Sequence, residues 1–108
     1  IGIVTSNTRK RTQTWLEAVC LSNMIDFIVS GDDVQQGKPY PEPYLLAAKC
    51  TSYSFPSIVA VEDSIQGAKS AVDAGLKTFL LTMTEVDNWC PEGVEPIRSL
   101  THLSERLW

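Results

Sequence analysis

Short apolar runs alternate with helix-spaced apolar positions along the whole chain. The opening run Ile1-Gly2-Ile3-Val4-Thr5 predicts a buried strand over 1–5. Over 8–21, Trp15, Leu16, Val19 and Cys20 recur at helical spacing, with Arg9, Lys10 and Arg11 concentrated at the exposed start. Phe27-Ile28-Val29-Ser30-Gly31 predicts a second strand, closed by the turn-forming Gly31-Asp32-Asp33. Gly37 and the prolines at 39, 41 and 43 make 35–43 a loop, because they continue neither a helix nor a sheet. Pro41 or Pro43 then suits the first turn of a helix over 42–52, where the missing N–H costs nothing. Its buried face is expected to carry Tyr44, Leu45, Ala48 and Cys50.

Residues 57–61 predict a third strand and 77–82 a fourth. Between them Ser64 is placed to cap a helix at 65–74, and Gly75 to end it in the left-handed conformation. The stretch 84–99 has turn chemistry but no period and is read as a loop; a short helix at 101–107 follows. Strands alternating with helices predict an α/β fold, a parallel sheet with helices on both faces. Ligands of such sheets bind at the carboxyl ends of the strands, so chemistry is sought there.

The chain has 108 residues, enough for at most one compact unit. It opens inside a strand, with no Met and no capping segment, as the interior of a longer protein would. Its net charge of −4 argues against a nucleic-acid partner, which usually meets a basic stripe. No apolar run approaches the roughly 20 residues that span a bilayer, and no signal peptide is visible. Cys20, Cys50 and Cys90 lie far apart with a single histidine, His102, which speaks against a zinc site. The thiols read as small buried hydrophobes in a reducing, cytoplasmic compartment. Trp15, Trp89 and Trp108 read as packing residues and His102 as a surface helix residue.

Three features stand at strand ends. Thr5-Ser6-Asn7 precedes a helix, so two hydroxyls, an amide and unpaired helix N–H groups could cradle an anion; plain N-capping by Ser6, Asn7 or Thr8 is the alternative. Glu62-Asp63 puts adjacent carboxylates at the tip of the third strand, oxygen ligands of the kind that Mg²⁺ takes. Alternatively Asp63 caps the next helix and Glu62 faces solvent. Lys38, fixed between Gly37 and Pro39, is either a point charge for phosphate or a solvated loop lysine. Together they would surround one phosphoryl group with donors, a cation and metal ligands.

The stretches "IGIVTSN", "GKPYPEPYLLAAK" and "VAVEDSIQGAKSAVDAG" resemble, in order and spacing, the second, third and fourth motifs of the haloacid dehalogenase superfamily, in its phosphoglucomutase-like and phosphoglycolate-phosphatase-like branch. The resemblance covers roughly residues 1–82. It implies a Rossmann-like core and Mg²⁺-dependent phosphoryl transfer, hydrolytic or mutase, on a small phosphorylated metabolite. It also implies that Thr5 bonds the transferring group with Ser6 and Asn7 beside it. Lys38 would steady nucleophile and phosphate, Asp63 would ligate the metal directly, and Glu62 directly or through water.

One motif of that family is absent. Its nucleophile and general acid–base stand in an Asp-x-Asp at the end of a central strand, and no Asp-x-Asp occurs in this chain. Residues 1–108 are therefore expected to form a partial core domain without that strand or the substrate-selecting cap. The strands at 1–5 and 58–62 would then flank a gap, to be filled by a segment or chain from elsewhere, and the residues alone are expected to fold poorly and be inactive. The rival expectation is a non-catalytic truncated relative that binds a partner or phosphorylated ligand.

Overall fold

The computed structural model describes residues 1–83 and 90–107. The chain order is β1 (Gly2–Val4), α1 (Arg9–Ala18), β2 (Phe27–Val29), α2 (Glu42–Lys49), β3 (Val59–Glu62), α3 (Ile65–Asp73), β4 (Lys77–Leu81), β5 (Val94–Ile97) and α4 (Leu100–Leu107). All pairings between these strands are parallel. β1 pairs with β2 across α1, β3 with β4 across α3, and β4 with β5. This is the parallel α/β arrangement that the alternation of apolar runs and helical periods dictates.

The five strands form two sheets, β1-β2 and β3-β4-β5, with no ladder between β1 and β3. The Thr5 N–H donates to the Val29 carbonyl, which turns the Val4 carbonyl away from β2 and toward that seam. A groove of about 760 Å³ opens there, lined by Ile3 and Val4 on one side and Val59 and Val61 on the other. Helix α2 lies against β1, β2 and α3, and so ties the two sheets together. Its Tyr44 packs into a core cluster with Ala60, Ala71, Ala74 and Leu76, against which Val4 also rests.

Two helices end alike. In α3 the Leu76 N–H reaches the Ala71 carbonyl and the Gly75 N–H the Val72 carbonyl, with Gly75 at φ +93°. In α1 Leu21 reaches Leu16 and Cys20 reaches Glu17, with Cys20 at φ +60°. Both are Schellman closures, whose left-handed position favours glycine because it has no Cβ. Cysteine takes that position in α1, which moves Cys20 off the buried face the periodicity gave it.

Several other expectations need correction. Cys20 and Cys50 are exposed and Cys90 is half-buried, so the first two thiols are not core residues. Trp15 is 56% exposed, and α1 buries Thr12 and Leu16 instead, because the helix ends at Ala18 and its inward stripe is short. In α2 the buried residues are Pro43, Tyr44 and Ala47, while Leu45 is exposed. The expected loop over 84–99 contains strand β5; Pro96 obscures it in sequence, but β5 is an edge strand, where proline is tolerated. Residues 84–89, Trp89 among them, and Trp108 lie outside the described residues.

Candidate active site

The tips of β1 and β3 and the loop before α2 converge on one open cleft of about 480 Å³. Its lining includes Thr5, Ser6, Asn7, Lys38, Glu62 and Asp63, all six residues singled out in the sequence. They meet because parallel strands present their carboxyl ends on one side of the sheet, and because the loop after β2 returns across that side.

The loop 35–41 is held firmly. The Gln35 and Gln36 N–H groups donate to the two carboxylate oxygens of Glu42 at 2.7 and 3.3 Å. On the far side of Lys38, Ser70 Oγ donates to the Tyr40 carbonyl at 2.6 Å. Lys38 Nζ is thereby delivered to Glu62 Oε1 at 2.5 Å and to the Val4 carbonyl at 3.0 Å. The ammonium also stands 5.6 Å from the centroid of the Tyr44 ring, within range of a cation–π contact.

Glu62 is only 8% exposed, so it does not face solvent. A buried carboxylate must be paired and hydrogen-bonded to remain ionised. Lys38 supplies the charge, and the Tyr44 hydroxyl donates to the same oxygen at 2.5 Å. Burial, and then the negative charge of Glu62, push the Tyr44 phenol well above its ordinary value, so it stays a donor. The room for Glu62 comes from Gly67, where a Cβ would stand 2.1 Å from Oε2. Asp63, one residue on, is exposed at the cleft. It does not cap α3; Ser64 does, accepting from the Gly67 N–H at 3.0 Å.

The Thr5–Asn7 loop differs from the expected helix-end cradle. Thr8 is the N-cap of α1 and accepts from the Arg11 N–H, while the Arg9 N–H is taken by Asp32 Oδ2. Those two helix donors are therefore engaged within the protein. What faces the cleft is the loop itself. Thr5 Oγ1 accepts from the Asn7 N–H at 3.1 Å, which leaves the hydroxyl proton to donate elsewhere.

Glu62 and Asp63 are hard oxygen donors suited to Mg²⁺, but they are only two, and one Glu62 oxygen already holds Lys38 and Tyr44. No group of three or more His, Cys, Asp and Glu placed to hold a metal occurs among the described residues. By donor type the pair suits a magnesium ion, with Asp63 the more accessible of the two. Tyr44, Glu42 and Gly67 were missed as site residues. Each sits inside the three motif stretches, but spacing alone does not show that the Tyr44 phenol is a buried donor, that Glu42 accepts from the loop, or that Gly67 makes room for Glu62.

Residues 1–81 match the family model of haloacid dehalogenase-like hydrolases. The chain belongs to that family. YhcW of Bacillus subtilis is 37% identical over 81 residues, covering 75% of this chain and 37% of that protein. The 6-phosphogluconate phosphatase of Escherichia coli is 35% identical over 86 residues, 77% of this chain and 38% of that one. Among solved structures, YfnB of Bacillus subtilis, crystallised with magnesium, superposes with a TM-score of 0.83 at 22% identity, covering 98% of this chain and 48% of YfnB. The chain thus spans less than half the length of these relatives. Among the described residues no helix is long and apolar enough to cross a membrane.

Proposed function

We propose that this chain is the phosphoryl-binding part of the core domain of a Mg²⁺-dependent phosphatase, or mutase, acting on a small phosphate ester. The observation that carries the reading is the convergence of Thr5, Ser6, Asn7, Lys38, Glu62 and Asp63 on one cleft. The family membership and the 6-phosphogluconate phosphatase likeness support the reaction class and the kind of substrate.

In this reading Thr5 Oγ1 donates to a phosphoryl oxygen, with Ser6 and Asn7 lining the same pocket wall. Lys38 neutralises charge that gathers on the equatorial oxygens during in-line transfer. Asp63 would hold a magnesium ion, with Glu62 contributing directly or through water, and the bound ion would shield the phosphate charge. The attacking group is an aspartate carboxylate from outside these residues, whose oxygen bonds to phosphorus as the ester P–O bond breaks and the alcohol leaves, so residues 1–108 alone are expected to be inactive. The apolar groove between β1 and β3 suits an extended strand from a further segment or another chain, and would bring that carboxylate to the cleft. Three free cysteines fit a reducing, cytoplasmic setting.

The test is release of phosphate from an aryl phosphate by the full-length protein, with and without Mg²⁺. Metal-dependent turnover that is abolished in Asp63→Asn is the expected result. A full-length protein that binds phosphate but never turns over would make the domain non-catalytic.

A further inference from the structure

The turn after β2 lies outside the cleft, yet its backbone is in direct contact with the Thr5–Asn7 loop. The Gly31 N–H donates to the Asn7 carbonyl at 2.8 Å. A Cβ on Gly31 would stand 2.4 Å from the Ser6 carbonyl oxygen and 3.3 Å from that of Asn7. Only glycine lets the two chains approach this closely.

The turn itself is closed from within. Asp33 Oδ2 accepts from the Ser30 N–H at 2.7 Å, from Ser30 Oγ at 2.9 Å and from Arg9 Nη2 at 2.6 Å. Ser30 is fully buried. Arg9 also donates through Nη2 to the Ile28 carbonyl at 2.8 Å and through its N–H to Asp32 at 2.9 Å. One turn therefore contacts the loop at Ser6–Asn7 and holds the first residue of α1 just beyond it. None of residues 30–33 lines the cleft, so none is placed to touch a bound anion.

We propose that Gly31 and Asp33 are positioning residues for phosphate, a role that rests on the reading of Thr5–Asn7 as the phosphate loop. The Gly31 N–H turns the Asn7 carbonyl toward a residue outside the cleft, which removes an acceptor that would repel a phosphoryl oxygen. Asp33 fixes the turn that carries Gly31, and Arg9 ties that turn to α1. The hydroxyl of Thr5 and the loop beside it are thereby held in one arrangement before the anion arrives, which is where binding groups gain most.

The experiment titrates the intact protein with inorganic phosphate and follows the backbone amide signals of Ser6 and Asn7 by NMR. Wild type is compared with Gly31→Ala, with Asp33→Asn and with Ser104→Gly, a variant that loosens the exposed face of α4, which packs on β5. The expected result is a dissociation constant raised about tenfold in Gly31→Ala and about threefold in Asp33→Asn, and unchanged in Ser104→Gly. Should Gly31→Ala fail to fold, Asp33→Asn carries the comparison. Wild-type affinity in Asp33→Asn and in any folded Gly31→Ala overturns the proposal alone, as does equal weakening in Ser104→Gly. If the wild-type amides show no saturable response to phosphate, the phosphate-loop reading fails and the proposal with it.

Discussion

Lys38 Nζ lies 2.5 Å from Glu62 Oε1, and the same ammonium reaches the carbonyl of Val4, 3.0 Å away on the other sheet. The pair spans the seam between β1 and β3 with both side chains mostly buried, 14% and 7% exposed. Removing the lysine leaves a buried carboxylate with a phenol as its remaining strong donor. Lys38→Ala is expected to destabilise the fold by about 3 kcal/mol, since breaking one side of a buried pair strands the other charge. Lys38→Met combined with Glu62→Gln should cost less than the sum of the single changes, as measured by urea unfolding in a double-mutant cycle. Strict additivity would mean that the two side chains do not interact.

Tyr44→Phe keeps the ring in the core and deletes only the donor to Glu62. A hydrogen bond to a charged, buried acceptor contributes about 2 kcal/mol, and that loss should appear as a lower unfolding midpoint with an unchanged slope. A silent substitution would show that Lys38 alone satisfies the carboxylate.

Gly67→Ala tests the space for Glu62. On an exposed helix the change would stabilise by about 1 kcal/mol. Here the new Cβ meets Glu62 Oε2, and Lys38 and Tyr44 hold that carboxylate in place. Overpacking of this kind costs about 2 kcal/mol, so net destabilisation is expected by thermal melting, and a higher melting temperature would contradict it.

Asp33 carries a pH signature. The Ser30 N–H and hydroxyl, and then the Arg9 guanidinium, hold its carboxyl below the usual aspartate value. A depressed value means that this carboxylate stabilises the fold above the unfolded-state value of 3.8 and loses that contribution as pH falls through its lower, folded value. In melting curves recorded from neutral pH down through that window, Asp33→Asn should start from a lower melting temperature and fall less steeply. Parallel acid limbs would remove Asp33 from the account.

The site was more legible in the sequence than the packing around it. Thr5, Lys38 and Asp63 are marked by strand ends and by the fixed neighbours Gly37 and Pro39, features that survive in one dimension. Tyr44 reads equally as core, because a phenol at helical spacing gives no sign of what its hydroxyl meets. β5 was hidden by Pro96, whose missing N–H argues against a strand unless the strand is known to be an edge. Cys20 was misplaced because the periodicity of α1 runs past its end. Nothing local says that a cysteine will take the left-handed position that Gly75 takes in α3.

The one-sided pairing of β1 also has a kinetic consequence. In a parallel ladder the amides of successive residues point to opposite sides, and the Thr5 N–H points to β2. Ile3 shares that direction, whereas the N–H groups of Gly2 and Val4 face the groove beside β3. Amide protons along this short strand should therefore trade with deuterium in alternation, slow at Ile3 and Thr5 and fast at Gly2 and Val4. Whatever comes to lie in the groove would announce itself by erasing that alternation.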